Sequence, residues 1–210
     1  MRFVENEIYH VYNRGNNSQP IFFTDANYNH FLDKIRKELK PICEPLAYCL
    51  MPNHFHLLLR ATEVSCREIP TYGGKPMQLL ARKIGLMLSS YSQQINKQRG
   101  TTGSLFQQKT KAKCVSAPVI GQTTLRRGPT VSTPSYIINC MHYIHQNPIK
   151  AKLVTKMEEW KHSSFAGYAG FKEDDLCDKA ILMEFADYDL TSFYSDSYHI
   201  IEDAAIHFKW

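Results

Sequence analysis

The chain has 210 residues, 43% of them hydrophobic and 21% charged, with a formal net charge of +5. That length and balance belong to one well-cored globular domain and exclude a disordered chain. No apolar run approaches the roughly 18 residues needed to span a bilayer, the opening MRFVENEIYH lacks the apolar core of a signal peptide, and six scattered cysteines without a CxxC pair point to reduced thiols in a cytoplasmic protein.

From the N-terminus, Glu7 to Arg14 alternates, with Ile8, His10 and Tyr12 set against Tyr9, Val11 and Asn13, and closes at Gly15-Asn16-Asn17. This predicts a strand. Asp25 is the expected N-cap of an amphipathic helix whose stripe is Tyr28, Phe31, Leu32, Ile35 and Leu39, ended by Pro41. Ile42–Met51 and His54–Arg60 read as two strands joined by a Pro-Asn turn. Pro76 fits the first turn of a long helix to about Arg99, and Ser104–Val115 follows as a strand with Lys109, Lys111 and Lys113 on one side. The order β-α-β-β-α-β predicts an α+β, ferredoxin-like fold with helices on one sheet face and the other face left available.

Residues 116–134 are polar and punctuated by Pro and Gly, and read as a flexible insertion. Ser135–Gln146 is the next expected helix, interrupted at Asn147-Pro148 because the residue before proline avoids the α region. A last helix is expected over 197–209. The chain then divides into a main unit, 1–157, and an acidic C-terminal extension, 158–210, packed on it or trailing from it.

Charge is partitioned along the chain. Residues 1–68 carry eight acids and eight Lys/Arg, residues 69–157 carry thirteen Lys/Arg and no acid, and residues 158–210 carry twelve acids and four bases. An acid-free stretch of that length predicts a polyanion surface, most simply nucleic acid. Arg14, Lys109, Lys111 and Lys113 are the candidates for phosphate contacts, and Tyr9, Tyr12 and Phe106 serve either as stacking platforms or as core.

Within MPNHFHLLL, the period of two places Phe55, Leu57 and Leu59 on one strand face and His54 and His56 together on the other. Two neutral imidazoles held on a strand make half of a divalent-metal site, or else a solvent-facing pair. In the helix Ser135–Gln146, Tyr143 sits beside the apolar stripe and Asn147 lies four residues on, on the same face. Tyr143 is a candidate nucleophile if it projects toward a cation, and a core aromatic if it does not. Asn147 either supplies an oxygen ligand or caps a short helix opening at Pro148. His142 and His145 on that helix read either as a base or as surface histidines.

Taken together, YHVYNRGN, PNHFHLLL, SLFQQKTK, YIHQNPIKAKLV and EWKHSSFAGYAG, in that order over roughly residues 7–170, resemble the single-tyrosine HUH transposases, and among them the REP-associated tyrosine transposases. The resemblance implies a transposase that cleaves and rejoins single-stranded or hairpin DNA through a 5′-phosphotyrosine intermediate. It implies Tyr143 as nucleophile and His54, His56 and Asn147 as ligands of a divalent metal, Mg²⁺ or Mn²⁺. It leaves monomer and homodimer open. The 116–134 insertion and the acidic tail lie outside it. The alternatives are a non-catalytic single-stranded nucleic-acid-binding protein on the same fold and a metal-dependent phosphoesterase without a covalent step.

Overall fold

A computed structural model describes residues 1–71, 74–116 and 133–201, with the side chains of 133–135 excepted. Strand β1 (Ile8–Arg14), helix α1 (Asp25–Lys34), strands β2 (Cys43–Met51) and β3 (His54–Ala61), helix α3 (Leu79–Arg99) and strand β6 (Lys111–Cys114) build the core. A short helix α2 (Glu63–Cys66) and a hairpin of β4 (Glu68–Thr71) and β5 (Gly74–Gln78) are inserted before α3. The main sheet runs β2-β3-β1-β6, and every neighbour is antiparallel. This is the ferredoxin-like β-α-β-β-α-β arrangement, with α1 and α3 on one face.

That face is the apolar side of the strand alternation. Phe31 of α1 meets Phe55 of β3 and Tyr91 of α3, at ring centroid distances of 5.2 and 5.0 Å. The Tyr91 hydroxyl donates to the Ile21 carbonyl at 2.7 Å, so the buried phenol keeps a partner. Truncating Phe31, which has no exposed surface, would cost about 3–5 kcal/mol. Tyr9, Tyr12 and Phe106 are each 5% exposed, so the stacking-platform reading of the three gives way to core packing.

Several expectations are corrected. The N-cap of α1 is Thr24, not Asp25: the Asn27 carboxamide oxygen accepts the Phe23 and Thr24 amides, and Asp25 instead pairs with Lys161 and His162. Pro76 sits in β5, where an edge strand tolerates a residue without an N–H, and α3 begins at Leu79. Strand β6 is shorter than expected and Lys109 precedes it. Helix α4 (Thr133–Lys150) runs straight through Asn147-Pro148. The sheet face opposite α1 and α3 is not left open, because α4 lies across it, with Tyr136 against Lys113 and Tyr143 against His56. The expected helix over 197–209 is not formed at its start: α7 (Phe193–Ser197) ends there, and 202–209 lie outside the described residues, as does most of the 116–134 segment.

The segment after α4 closes the free edge of β2. The Leu50 amide donates to the His162 carbonyl and the Ser164 amide to the Tyr48 carbonyl, at 2.9 and 3.0 Å. The Trp160 indole donates to the Leu50 carbonyl at 3.1 Å, and the Tyr168 hydroxyl to the Leu46 carbonyl at 2.5 Å. Helix α5 (Phe165–Tyr168) follows this edge, while α6 (Lys179–Ala186) and α7 pack against α4. An edge covered in this way is not a template for further pairing. The six cysteines are free, and among the described residues no helix is long and apolar enough to cross a membrane.

Candidate active site

Strand register places the histidines. Arg14 of β1 pairs with His54 of β3, and Tyr12 with His56, so His54, His56, Arg14 and Tyr12 share the face that α4 crosses. The His54 and His56 rings stand 4.9 Å apart, edge to face. Beyond Arg14 the chain turns at Gly15, where a Cβ would fall 2.1 Å from the Gln19 carbonyl oxygen. Only glycine permits that approach, which ties the residue after Arg14 down beside the cleft.

One open cleft of about 250 Å³ is lined by Arg14, Met51, Asn53, His54, Tyr143, Asn147, Lys150 and Ala151. Tyr143 meets His56 edge to face at 6.0 Å and is 4% exposed. The Lys150 ammonium, two turns along α4, lies 4.5 Å from the centre of the Tyr143 ring and donates to the Ile201 carbonyl. Arg14, His54, Tyr143 and Asn147, chosen from sequence, therefore meet in one cleft, with His56 directly behind.

The three lysines do not join them. Lys113 donates to the Tyr136 hydroxyl at 2.7 Å and lies over its ring, which docks the first half of α4 on the sheet. Lys111 lies over Tyr12 at 5.8 Å, and Lys109 is exposed beside the strand. His142 and His145 are neither surface groups nor partners of the Tyr143 hydroxyl. They are buried toward the C-terminal segment, where His142 Nδ1 meets Ser197 Oγ at 3.1 Å and His145 Nε2 meets Ser164 Oγ at 2.8 Å.

The continuity of α4 explains the Asn-Pro pair. Pro148 has no N–H to offer the Ile144 carbonyl. The Asn147 side chain replaces it, Nδ2 donating to Ile144 O at 3.3 Å and to Tyr143 O at 2.8 Å. With the amide nitrogen held against the helix, Asn147 Oδ1 is the end left to face the cleft that His54 also lines. The N-cap alternative for Asn147 is thereby overturned, since no helix begins at Pro148.

The donor set suits a divalent cation. His54 Nδ1 donates to Asn53 Oδ1 at 2.6 Å and His56 Nδ1 is held at 2.8 Å by His10 Nε2, so the coordinating atoms would be the two Nε2 nitrogens. Burial, and then the Arg14 charge, pushes His54 down to about 4, while burial and the two neighbouring histidines hold His56 well below its usual range. Both imidazoles are thus neutral at pH 7, as ligation requires. With Asn147 Oδ1 they give two nitrogens and one oxygen and leave the remaining positions to water or phosphate. Among the described residues no group of three or more His, Cys, Asp or Glu side chains is arranged to hold a metal ion, so any such site depends on the carboxamide.

Neither a family model nor a curated protein matches the sequence. A solved structure does: a REP-associated tyrosine transposase bound to a REP hairpin, at a TM-score of 0.54 and 13% identity, covering 85% of this chain and 92% of that one. The chain has the fold of that transposase. At this identity the likeness shows the fold alone, and the chemistry rests on the cleft. Lys150, which lines the cleft, and His10, buried against His56, were not singled out from sequence. His10 was hidden in an ordinary strand alternation, and Lys150 looked like one more base of the acid-free stretch, although its i+7 spacing from Tyr143 was a usable signal.

Proposed function

We propose that this protein is a DNA strand transferase that cleaves and rejoins single-stranded or hairpin DNA through a 5′-phosphotyrosine at Tyr143. The observation that carries the reading is the meeting of Tyr143, His54, Asn147 and Arg14 in one open cleft, with His56 behind the tyrosine ring. The Tyr143 hydroxyl attacks phosphorus and loses its proton, the bond from phosphorus to the 3′ oxygen breaks, and that oxygen leaves as a 3′-OH after taking up a proton. No water is consumed, so a 3′-OH can reverse the attack and join strands. Arg14 and Lys150 supply the cations that hold the phosphodiester in the cleft. His54, His56 and Asn147 would hold Mg²⁺ or Mn²⁺, which polarises the phosphate and offsets developing charge. The phenol is a poor nucleophile at an ordinary pKa near 10, so the cationic surroundings of Tyr143 matter to its reactivity.

The DNA class comes from two supports: the acid-free stretch from 69 to 157, and a matched structure that is itself bound to a REP hairpin. A second reading, a non-catalytic binder of single-stranded nucleic acid, is favoured by the 4% exposure of Tyr143, which also suits a packing residue. A denaturing gel separates them. Incubated with labelled hairpin DNA and Mn²⁺, a strand transferase leaves label migrating with the protein after denaturation. A binder leaves intact free DNA, and a hydrolytic phosphoesterase leaves cut DNA without an adduct.

A further inference from the structure

One more imidazole stands in line with His54 and His56. His10 of β1 has no exposed surface, and its ring stacks on His56 at 5.0 Å and on Tyr12 at 4.7 Å. Its Nε2 lies 2.8 Å from His56 Nδ1. His10 and His56 are diagonal neighbours across the β1–β3 pair, where long side chains reach each other. A fully buried imidazole is expensive where an apolar side chain would fill the same space, unless it makes a hydrogen bond that matters.

We propose that His10 is a positioning residue: it accepts the Nδ1–H of His56 and so holds His56 as the tautomer whose lone pair is on Nε2. This rests on the reading of His54 and His56 as metal-holding residues. Only one proton lies between the two nitrogens, and its owner decides the chemistry. If His10 donated, neutral His56 would carry its proton on Nε2 and could not ligate. If His56 donates, Nε2, on the ring edge away from His10, is the lone pair. His54 is fixed in the same sense, because a carboxamide oxygen only accepts. The Asn53 amide end is itself committed to the Ser18 carbonyl at 3.2 Å, so its oxygen is the end that faces His54. The two strand histidines then present matched Nε2 lone pairs, one set by Asn53 and the other by His10. Partners of this kind orient ligands, and their loss typically weakens metal affinity 10–100-fold.

The direct test is the tautomer in the metal-free protein. Two-bond ¹H–¹⁵N correlation spectra of ¹⁵N-histidine-labelled protein at pH 7.5 should show His56 protonated on Nδ1 and bare on Nε2, with His10 also bare on Nε2. A His56 proton on Nε2 overturns the proposal. Mn²⁺ titration supplies a second arm: His10→Leu should bind 10–100-fold more weakly, while His10→Gln, which keeps an acceptor oxygen, should recover most of the loss. A folded His10→Leu that binds Mn²⁺ like the parent also overturns it. If His10→Leu does not fold, the parent tautomer still decides. Failure of the parent itself to bind Mn²⁺ would instead overturn the metal-holding role of His54 and His56, and with it the consequence drawn for His10.

Discussion

Replacing Asn147 tests how the candidate ligand is held. Asn147→Ala removes the two Nδ2 donors to Tyr143 O and Ile144 O. The Tyr143 carbonyl keeps the helical amide of residue 147, but the Ile144 carbonyl has no amide to fall back on, because residue 148 is proline. Ile144 is fully buried, so its acceptor is left unsatisfied at a cost of about 1–3 kcal/mol. For a chain of this length, each kcal/mol lowers the melting point by about 2–4 °C. In a Pro148→Ala background the new amide at 148 serves Ile144 O, and Asn147→Ala should then cost less, giving a coupling of about 1 kcal/mol in a double-mutant cycle. Urea denaturation reads this as midpoint shifts at constant slope. An Asn147→Ala cost equal in the two backgrounds, within about 0.3 kcal/mol, would refute the substitution of side chain for amide. Asn147→Asp is expected to be worse than Ala for stability, since a carboxylate oxygen would face two carbonyls.

Acid should unfold the protein early. Burial pushes His10 down to about 3 and His142 to about 4, and holds His145 well below its usual range. The unfolded chain takes up these protons near pH 6.5, so the stability is fully present above that and lost as pH falls toward 4 for His142 and toward 3 for His10, on the order of 3–5 kcal/mol for each of these two at full extent. Denaturation midpoints that stay flat from pH 7.5 to 5 would contradict this. Lys113→Ala should lower the melting point, because it removes the contact to Tyr136 that docks α4. Lys109→Ala should leave the melting point unchanged and make the log–log salt slope of single-strand binding shallower by about 0.7. An unchanged slope would place the DNA away from that strand.

The strands and helices that face one core were legible because their periods are unambiguous. The alternation of β1 and β3 and the helical stripe through Phe31 fix which face meets which. That alternation also put His54 and His56 on one face, and the i+4 spacing put Asn147 above Tyr143. The β4–β5 hairpin was missed because its strands carry only isolated apolar residues, Ile69 and Met77, and its proline imitates a helix start. The break expected at Pro148 is absent because the Asn147 side chain repairs the lost hydrogen bond within its own helix, a local bond that the backbone preference of the residue before proline does not include. The cover that 160–178 places along β2 was equally unreadable. It is made of hydrogen bonds to the β2 backbone, some from the segment's own backbone and some from Trp160, Ser164 and Tyr168, and no periodic side-chain pattern encodes them.

The most direct measurement locates the covalent bond. After reaction with hairpin DNA, nuclease trimming and peptide mass spectrometry should find a phosphonucleotide on the peptide containing Tyr143. Tyr143→Phe, which keeps the ring against His56, should bind the DNA with near-parental affinity, keep its melting point and form no adduct. Cleavage by Tyr143→Phe, or an adduct mapped to any other residue, would contradict the assignment of Tyr143 as nucleophile.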